Sequence, residues 1–339
     1  ILRETVEKGE TWLSATWAVS EFYFYRRVME AIGYFRGEYG DPFATQKHAG
    51  LATAGASMEV LAARVNASVA KGEAAAEVEL STFVMAALWG NRMDLSLWPA
   101  SADDAGRQAA LADVVDAGKA MLLDDSTPAL ERYVKGLSGD GGARRMDIIV
   151  DNAGFELFCD LCLADFLISS GLAGTVKIHL KGHPTYVSDA LAKDVIHTID
   201  YLASQPSSSP AAAELAARWR GHVASGRWDL SEHFFWAQPT AFWSMPSDIR
   251  SDLSANSALV FVKGDANYRR MLGDLAWDLS TPFDDIVCGF PAPVCALRAL
   301  KAEVGCGMSG EIVAEMRAKD EQWLVNGKYG VIQFMNPRG

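Results

Sequence analysis

The chain is 339 residues long, half of its residues are apolar, and its formal net charge is −12. This length predicts one large or two ordinary domains, and the apolar content excludes a generally disordered chain. The acidic charge excludes nucleic acid or an acidic membrane surface as the main partner, although it leaves room for a local basic pocket.

Cysteine content and hydropathy predict the compartment. Five cysteines, an odd number without a regular framework, are typical of a reducing environment. No apolar run reaches the roughly 18 residues of a membrane span, and the first fifteen residues lack the apolar stretch of a signal peptide. We therefore expect a cytoplasmic protein, with the nucleus as the alternative. Because the chain opens at Ile1 rather than Met, we expect its natural start to lie upstream.

The first part of the chain has a helical pattern. Aromatic side chains recur at spacings of three to five residues from Trp12 to Tyr25, and Ala-rich segments continue the pattern. No strand pattern interrupts it, so we predict a helical domain over residues 1–139. Four glycines within residues 136–142 mark the boundary. The Ala-rich segments are 57–70, 79–88 and 102–123.

From residue 140 onwards, apolar stretches of strand length alternate with segments of helix length. Each short run breaks into polar or Gly residues, which is typical of a buried strand. The alternation predicts a mostly parallel sheet, and therefore a Rossmann-like α/β/α domain over residues 140–339, with the helical domain packed on it. The predicted strands are Met146–Val150, Val176–Leu180 and Ala258–Val262, and the predicted helices are 189–204 and 210–223.

Polar side chains follow the ends of all three predicted strands. The first strand is followed by Asp151 and Asn152, with Glu156 one helical turn further on; the second is followed by a run that closes with Asp189, and the third by residues 263–269. In parallel sheets, ligands bind at this carboxyl edge. Carboxylate and carboxamide oxygens without His or Cys favour Mg²⁺ or Mn²⁺ over Zn²⁺.

Basic side chains in the same domain suit a phosphoryl group. Lys263, Arg269, Arg298 and Lys301 supply the cations, with Arg as a bidentate fork and Lys as a point charge. An open metal site among cations predicts phosphoryl chemistry. Each residue also has an ordinary structural interpretation, because an Asp after a strand commonly caps the next helix and a Lys at a strand end is commonly solvated. The three strand ends taken together favour the site.

Other conspicuous patterns are assigned to the core or the surface. Cys159 and Cys162 match C-x-x-C, but they lie inside a predicted helix rather than at its N-terminus, so we interpret both as core residues. The aromatic run over residues 225–246 is more typical of a core or an interdomain wall than of a base-stacking platform. The histidines show no ligand spacing; they are His183, His197, His222 and His233.

Several blocks of the sequence carry a family resemblance. Those at the strand ends are Asp-Asn-Ala-Gly-Phe-Glu (151–156), Lys-Gly-His-Pro-Thr-Tyr-Val-Ser-Asp (181–189) and Lys-Gly-Asp-Ala-Asn-Tyr-Arg (263–269), and others are 17–27, 41–47 and 88–96. Together they span nearly the whole chain and resemble the metal-dependent damage-control phosphatases, formerly called domain of unknown function 89. The most similar subgroup holds sugar-phosphate phosphatases and acidic-residue methyltransferase-like proteins.

The resemblance implies a metal and a set of site residues. A divalent metal, Mn²⁺ or Mg²⁺ with Co²⁺ or Ni²⁺ as alternatives, would be held by Asp151, Asn152 and Asp189, which would also be the catalytic residues. Where the subgroup usually has Arg-Thr-x-Lys, residues 298–301 are Arg-Ala-Leu-Lys, so Ala299 lacks the Thr hydroxyl while Arg298 and Lys301 are kept. The family's substrate residues map onto Glu156, Asp265, Asn267, Tyr268, Arg269 and Lys301.

The predicted function is hydrolysis of small phosphorylated metabolites, and the resemblance implies hexose and ketose phosphates such as fructose 1-phosphate and fructose 6-phosphate. Either water or an Asp carboxylate can be the attacking group. The sequence leaves open the physiological substrate, the physiological metal, the oligomeric state, and whether the polar cluster of Asn91, Arg92 and Asp94 faces the pocket or caps a helix.

Two other functions are weighed against phosphate hydrolysis. One is S-adenosylmethionine-dependent methylation of protein glutamate side chains, which has been proposed for the subgroup. A methyltransferase normally has a Gly-rich turn after its first strand, where this chain has Asp151-Asn152. The other is a non-catalytic binding protein, which would be favoured only if one of the three metal-ligand positions were lost.

Overall fold

A seven-stranded sheet forms the centre of the protein in a computed structural model that describes residues 2–90, 115–137, 144–204 and 209–337. Its strand order is β1-β7-β6-β5-β2-β3-β4, and every neighbouring pair is parallel except β6 with β7. The predicted mostly parallel sheet is therefore confirmed. The strands are β1 Leu122–Asp125, β2 Arg145–Ile149, β3 Thr175–Lys181, β4 Trp228–His233, β5 Ser257–Lys263, β6 Val294–Ala299 and β7 Gly330–Met335.

Helices precede the sheet and connect its strands. The predicted helices after residue 140 are confirmed to within three residues at each end, and those over residues 57–70 and 79–88 correspond to α4 and α5. The helices are α1 Leu2–Glu7, α2 Trp17–Ala31, α3 Ala44–Ala52, α4 Gly55–Lys71, α5 Ala76–Trp89, α6 Thr127–Gly136, α7 Phe155–Ser169, α8 Ala192–Ala203, α9 Pro210–Ala224, α10 Ser247–Asn256, α11 Asp265–Met271, α12 Phe283–Val287 and α13 Gly310–Lys319.

The N-terminal helices and the sheet share one apolar core. Leu61 of α4, Phe83 of α5, Phe166 of α7 and Trp219 of α9 are buried in the same cluster. The rings of Phe83 and Phe166 stack with their centroids 4.6 Å apart. Burial of each such side chain contributes roughly 1.5–3 kcal/mol to folding. The predicted packing of helices on an α/β region is therefore confirmed.

One prediction about the N-terminal region is wrong. Leu122–Asp125 forms β1, which pairs with β7, so a strand does precede residue 139. Of the helix predicted over 102–123, residues 115–119 are helical, whereas 102–114 lie outside the described residues. A four-residue strand is too short to show a periodic pattern. The predicted boundary between residues 139 and 140 also lies outside the described residues, so it stays a prediction.

The patterns assigned to the core behave mostly as expected. Cys159 and Cys162 are buried in the middle of α7, and burial raises the pKa of both thiols. The aromatic run contributes the buried strand residue Trp228 and the buried Trp236, while Trp243 is half exposed. Within the described residues, no helix is long and apolar enough to cross a membrane.

Candidate active site

A cleft of about 300 Å³ lies at the carboxyl edge of the sheet. This volume is at the lower end of the roughly 300–1,000 Å³ that is usual for small-molecule sites, so it suits a small metabolite. The cleft brings together most of the predicted site residues, which come from the ends of β2, β3 and β5 and from the segment after β6. Its predicted lining residues are Asp151, Asn152, Glu156, Asp189, Asp265 and Lys301.

The two aspartates that follow β2 and β3 do not cap helices. Helix α7 begins at Phe155, four residues beyond Asp151, and its N-cap residue is Gly154. Helix α8 begins at Ala192, and its capping contact comes from Asp194 rather than from Asp189. A helix-capping role is therefore excluded for both aspartates. Both residues line the cleft instead.

Backbone contacts hold the two strand ends together. Asn152 and Asp189 form an isolated antiparallel bridge, and the Ala190 amide donates to the carbonyl of Asp151 at 2.9 Å. The Ser188 hydroxyl also donates to Oδ1 of Asn152 at 2.6 Å. These hydrogen bonds place Asp151, Asn152 and Asp189 in one rigid turn pair at the sheet edge.

The Asn152 amide nitrogen links the neighbouring acids. It donates to Oδ2 of Asp151 at 3.1 Å and to Oε2 of Glu156 at 2.9 Å. Because the nitrogen faces the acids, the amide oxygen, Oδ1, lies on the side of Ser188. Glu156 thus orients Asn152, and its own carboxylate is fully engaged.

The carboxylates of Asp151 and Asp189 are buried and incompletely paired. Oδ1 of Asp151 and Oδ2 of Asp189 have no hydrogen-bond partner among the described residues. The ammonium of Lys181 lies 3.5 Å and 3.0 Å from these two oxygens without hydrogen-bond geometry. Burial raises the pKa of Asp151 to about 7, against the opposing effect of Lys181, and the carboxylates of Asp189 and Glu156 add to the rise. Burial also raises the pKa of Asp189.

Gly264 makes room for the Asp151 carboxylate. The glycine has a φ of +85°, and a Cβ at this position would overlap the Asp151 side chain. Any other residue would therefore be strained by its backbone and would displace the carboxylate. The Gly in the Lys-Gly-Asp sequence at the end of β5 is therefore required sterically by the neighbouring Asp151.

Lys263 corrects an expectation from the sequence. Its side chain is buried, with the ammonium 3.0 Å from Oδ1 of Asp160 and 3.4 Å from Oε1 of Glu156, and it donates to the carbonyl of Ala87 at 2.6 Å. Burial raises the pKa of Asp160 to about 7, against the opposing effect of Lys263. Lys263 therefore neutralises Glu156, which lines the cleft, and the buried Asp160, and it is not a free cation for phosphate.

Arg298 and Lys301 have different roles. The guanidinium of Arg298 is buried: its Nε donates to Oδ1 of Asp265 at 2.7 Å, and its other nitrogens donate to the carbonyls of Ala302 and Val304. Lys301 is exposed at the cleft, and its side chain forms no hydrogen bond or ion pair with the described residues. Lys301 is thus the available cation, and Arg298 holds Asp265 in place.

Three predicted substrate residues on α11 do not line the cleft. Asn267 donates to the carbonyls of Val150 and Lys263, and the buried Tyr268 hydroxyl donates to Oε1 of Gln333 at 2.6 Å. Arg269 pairs with Asp274 at 2.6 Å, and its guanidinium lies 4.2 Å from the ring centroid of Trp17. In this structure the three residues support the elements around the cleft, and their predicted contacts with substrate stay a prediction. The residues concerned are Asn267, Tyr268 and Arg269.

The donor set suits a divalent metal. Two buried carboxylates, each with an oxygen that accepts no hydrogen bond from the described residues, and a carboxamide oxygen are hard ligands, and a cation between them would offset the burial that raises the pKa values of both acids. Among the described residues, no three His, Cys, Asp or Glu side chains are grouped to hold a metal, so Asn152 would have to act as the third ligand. Asp151 and Asp189 therefore fit the group that the resemblance implies, and Asn152 would join them by turning its amide so that Oδ1 replaces the nitrogen beside the acids.

Sequence reasoning missed Lys181, Trp17 and Tyr186. Lys181 ends β3 with its side chain fully buried, whereas a Lys at a strand end looks solvated in the sequence. Trp17 and Tyr186 line the cleft, although Trp17 is far away in the chain. The early signals were that Lys181 and Tyr186 lie within the block 181–189 and that Trp17 begins the block 17–27. The polar cluster at Asn91, Arg92 and Asp94 lies outside the described residues.

Comparisons with known proteins agree with this architecture. The chain matches the damage-control phosphatase ARMT1-like domain over residues 2–316. It is 34% identical over 348 residues to damage-control phosphatase ARMT1 of Danio rerio, covering 99% of this chain and 77% of that protein. The corresponding protein of Homo sapiens is 33% identical over 350 residues, with 99% and 78% covered.

A solved structure supports the fold. The crystal structure of a DUF89 family protein from Pyrococcus horikoshii superposes with a TM-score of 0.51, covering 95% of this chain and 82% of that chain at 13% sequence identity. At this identity the likeness concerns the fold alone. The family resemblance seen in the sequence is confirmed by the family match and the relatives, and the chain belongs to the ARMT1-like damage-control phosphatases and is a phosphatase.

Proposed function

We propose that the protein hydrolyses small phosphorylated metabolites with a divalent metal, Mn²⁺ or Mg²⁺, and that hexose and ketose phosphates such as fructose 1-phosphate and fructose 6-phosphate are its substrates. The observation that carries the proposal is the pair of buried carboxylates, Asp151 and Asp189. Each has an oxygen that contacts the ammonium of Lys181 but accepts no hydrogen bond from the described residues, and both residues share one small cleft with the exposed Lys301.

The metal-binding residues would be Asp151, Asn152 and Asp189. When bound, the metal would withdraw charge from the phosphoryl oxygens and so favour attack at phosphorus. The protein's own contribution is to hold these ligands rigidly, through the Asn152–Asp189 bridge and the Ser188 hydrogen bond. Preorganised ligands need no rearrangement during the reaction, and this is a large part of their catalytic value.

The charged side chains around the ligands divide the remaining work. Lys301 can bind a phosphoryl oxygen, because it carries a charge that no described residue neutralises. Asp265 uses Oδ1 to accept from Arg298, so its second oxygen can accept a hydrogen bond from a substrate hydroxyl. Lys181 offsets the charge of the buried aspartates from behind.

Methyl transfer gains no support from this cleft. A methyl donor of the S-adenosylmethionine type carries a carboxylate, which the buried acids Asp151 and Asp189 would repel unless a cation lay between them. Lys301 could bind the carboxylate of a methyl donor, but it could equally bind a phosphoryl group, so it does not favour methyl transfer. We therefore propose phosphate hydrolysis alone.

Phosphate release from a panel of sugar phosphates tests the proposal. The wild-type protein is assayed with Mn²⁺, with Mg²⁺ and with chelator, and in parallel with a methyl donor and a protein acceptor. We expect phosphate release that the chelator abolishes and no methyl transfer. Asp151→Ala should lose the metal-stimulated activity while its circular dichroism spectrum is unchanged.

Asp248→Ala is the matched control, because Asp248 is an exposed acid of α10 that does not line the cleft. It should keep wild-type activity. Full activity in Asp151→Ala, or activity that resists the chelator, would overturn the metal assignment, and methyl transfer without phosphate release would overturn the proposed reaction.

A further inference from the structure

Tyr186 lines the cleft, and its hydroxyl has no partner. The hydroxyl oxygen is shielded from solvent and forms no hydrogen bond with the described residues. Buried polar atoms in folded proteins are nearly always hydrogen-bonded, so an exception at a ligand-binding cleft needs an explanation. A bound molecule that supplies the missing acceptor is the simplest one.

Aromatic side chains from α2 fix the position of the Tyr186 ring. Trp17 stacks on it with a centroid distance of 5.7 Å and an interplanar angle of 20°, and Phe22 meets it edge-on at 4.9 Å. Tyr25 lies at 5.4 Å. The N-terminal helical region thus contributes one wall of the cleft. Its rings pack on the Tyr186 ring and restrict the rotation that would move the hydroxyl away from the cleft.

The backbone at Tyr186 is also held in an unusual conformation. Tyr186 and Val187 have φ values of 46° and 63°, in the left-handed region that side chains other than Gly rarely adopt. The turn is closed by a hydrogen bond from the Ser188 amide to the Tyr186 carbonyl at 2.6 Å. Such conformations persist where the surrounding structure imposes them, and they cluster at functional sites.

The hydroxyl is suited to donate a hydrogen bond. Burial raises the pKa of Tyr186 above its ordinary value, and the neighbouring carboxylates of Asp189 and Glu21 raise it further, so the phenol keeps its proton. Arg269 and Arg270 oppose this effect through their charges. A protonated phenol next to a cleft binds an acceptor oxygen.

The surroundings of Tyr186 favour the organic part of a substrate over its phosphoryl group. The guanidinium of Arg269 is paired with Asp274, and that of Arg270 donates to three carbonyls, among them Phe235 at 2.7 Å. Neither arginine is therefore free to bind a dianion. This wall of the cleft offers aromatic faces and one hydroxyl, which suit the carbon skeleton and oxygens of a sugar.

We propose that Tyr186 is a specificity-determining residue whose hydroxyl donates a hydrogen bond to a hydroxyl or carbonyl oxygen on the sugar part of the substrate. The inference rests on the proposed function, because it concerns which phosphate esters the same cleft selects. A site built to hydrogen-bond a substrate oxygen rejects esters that lack it. Tyr186 therefore favours sugar phosphates over phosphate esters without hydroxyl groups.

Tyr186→Phe tests the inference, since it removes one oxygen and keeps the ring. The values of kcat and KM are measured with fructose 6-phosphate and with phenyl phosphate, which has no hydroxyl on its organic part. We expect kcat/KM for fructose 6-phosphate to fall roughly 10-fold or more, and kcat/KM for phenyl phosphate to stay within about twofold. The Tm should not fall, because the hydroxyl has no partner to lose in the free protein.

Tyr25→Phe is the matched control, because Tyr25 belongs to the same aromatic group but does not line the cleft. It should leave both substrates unaffected. An equal loss on both substrates in Tyr186→Phe would mean that the hydroxyl binds the phosphoryl group, and no loss on either would mean that it binds nothing; both results overturn the inference.

Calorimetric binding of fructose 6-phosphate in chelator separates this inference from the proposed function. Absence of turnover by the wild-type protein would count against the proposed function. Binding by the wild-type protein that Tyr186→Phe weakens roughly 10-fold would support the role of Tyr186 even then. Equal binding, or no binding by either protein, would count against it.

Discussion

Two buried acids, Asp147 in the middle of strand β2 and Asp151 just beyond its carboxyl end, differ in how they are paired. Asp147 accepts hydrogen bonds from His179 at 2.8 Å, from Arg145 at 3.1 Å and from Ser257 at 2.6 Å. Because Arg145 and Ser257 begin β2 and β5, we call this group the amino-end cluster. Just beyond the carboxyl end, Asp151 has an oxygen without any hydrogen bond to the described residues, and the same holds for Asp189.

The difference separates a structural cluster from a site. A fully paired buried acid stabilises one conformation, because every partner would lose its bond if the acid moved. An incompletely paired acid costs folding free energy, which a ligand can recover on binding. Pairing therefore predicts which substitutions should affect stability and which should affect activity.

Asp189→Asn should give the largest effect. It keeps the size of the side chain but removes one charge of the proposed metal site, so we expect kcat/KM to fall roughly 10²–10³-fold. The free energy of unfolding measured in urea without metal should change by less than about 1 kcal/mol, because the loss of the ion pair with Lys181 offsets the relief of the repulsion that Asp151 feels from Asp189. A strongly destabilised but fully active variant would show that Asp189 belongs to a structural cluster and not to the active site.

Asp147→Ala should show the opposite behaviour. Removing this acid leaves Arg145 and His179 without a buried partner, so we expect the free energy of unfolding to fall by about 2–3 kcal/mol. The kcat of the folded fraction at low temperature should stay within about twofold of wild type. Urea titration combined with activity measurement checks both expectations, and a normal unfolding curve would show that the cluster stabilises little.

The smallest effect concerns Asp252, the second acid of the amino-end cluster. Hydrogen bonds from Arg145 lower the pKa of Asp252 well below its usual range, with Lys177 and Asn256 adding to the shift. An acid whose pKa is lowered by folding stabilises the protein above its unfolded value of about 4, and this contribution is lost as the pH falls further.

Asp252→Asn should therefore be less stable than wild type at pH 6 by up to about 1 kcal/mol, since the carboxylate is partly solvated. The difference should shrink when urea titrations are repeated at pH 3. A difference that is constant or that grows towards low pH would show that the ion pair with Arg145 does not carry the effect.

Much of the α/β region was predictable from the sequence, because its central strands are buried on both faces. The strands β2, β3 and β5 are short apolar runs, and each lies within one residue of its predicted bounds. By contrast, β4 was hidden in the aromatic run, and β1 has only four residues. Periodicity cannot resolve such strands, since they depend on partners that are distant in sequence.

The candidate site was predictable in its acids but not in its cations. Asp151, Asn152 and Asp189 follow strand ends, and the carboxyl edge of a parallel sheet brings such residues together. The pairing of Lys263 with Asp160, and the burial of Arg298 beside Asp265, depend on side-chain directions that a sequence does not specify. Lys181 escaped notice for the same reason.

The position of β7 has a consequence for how the chain is made. This strand lies between β1 and β6, and among the described strands β1 pairs with no other. During synthesis from the N-terminus, roughly two hundred further residues must therefore be added before β1 can pair with β7. Non-local pairing of this kind slows folding and leaves unpaired strands exposed to aggregation. Ribosome-bound chains that stop before Gly330 should be the ones that chaperones retain.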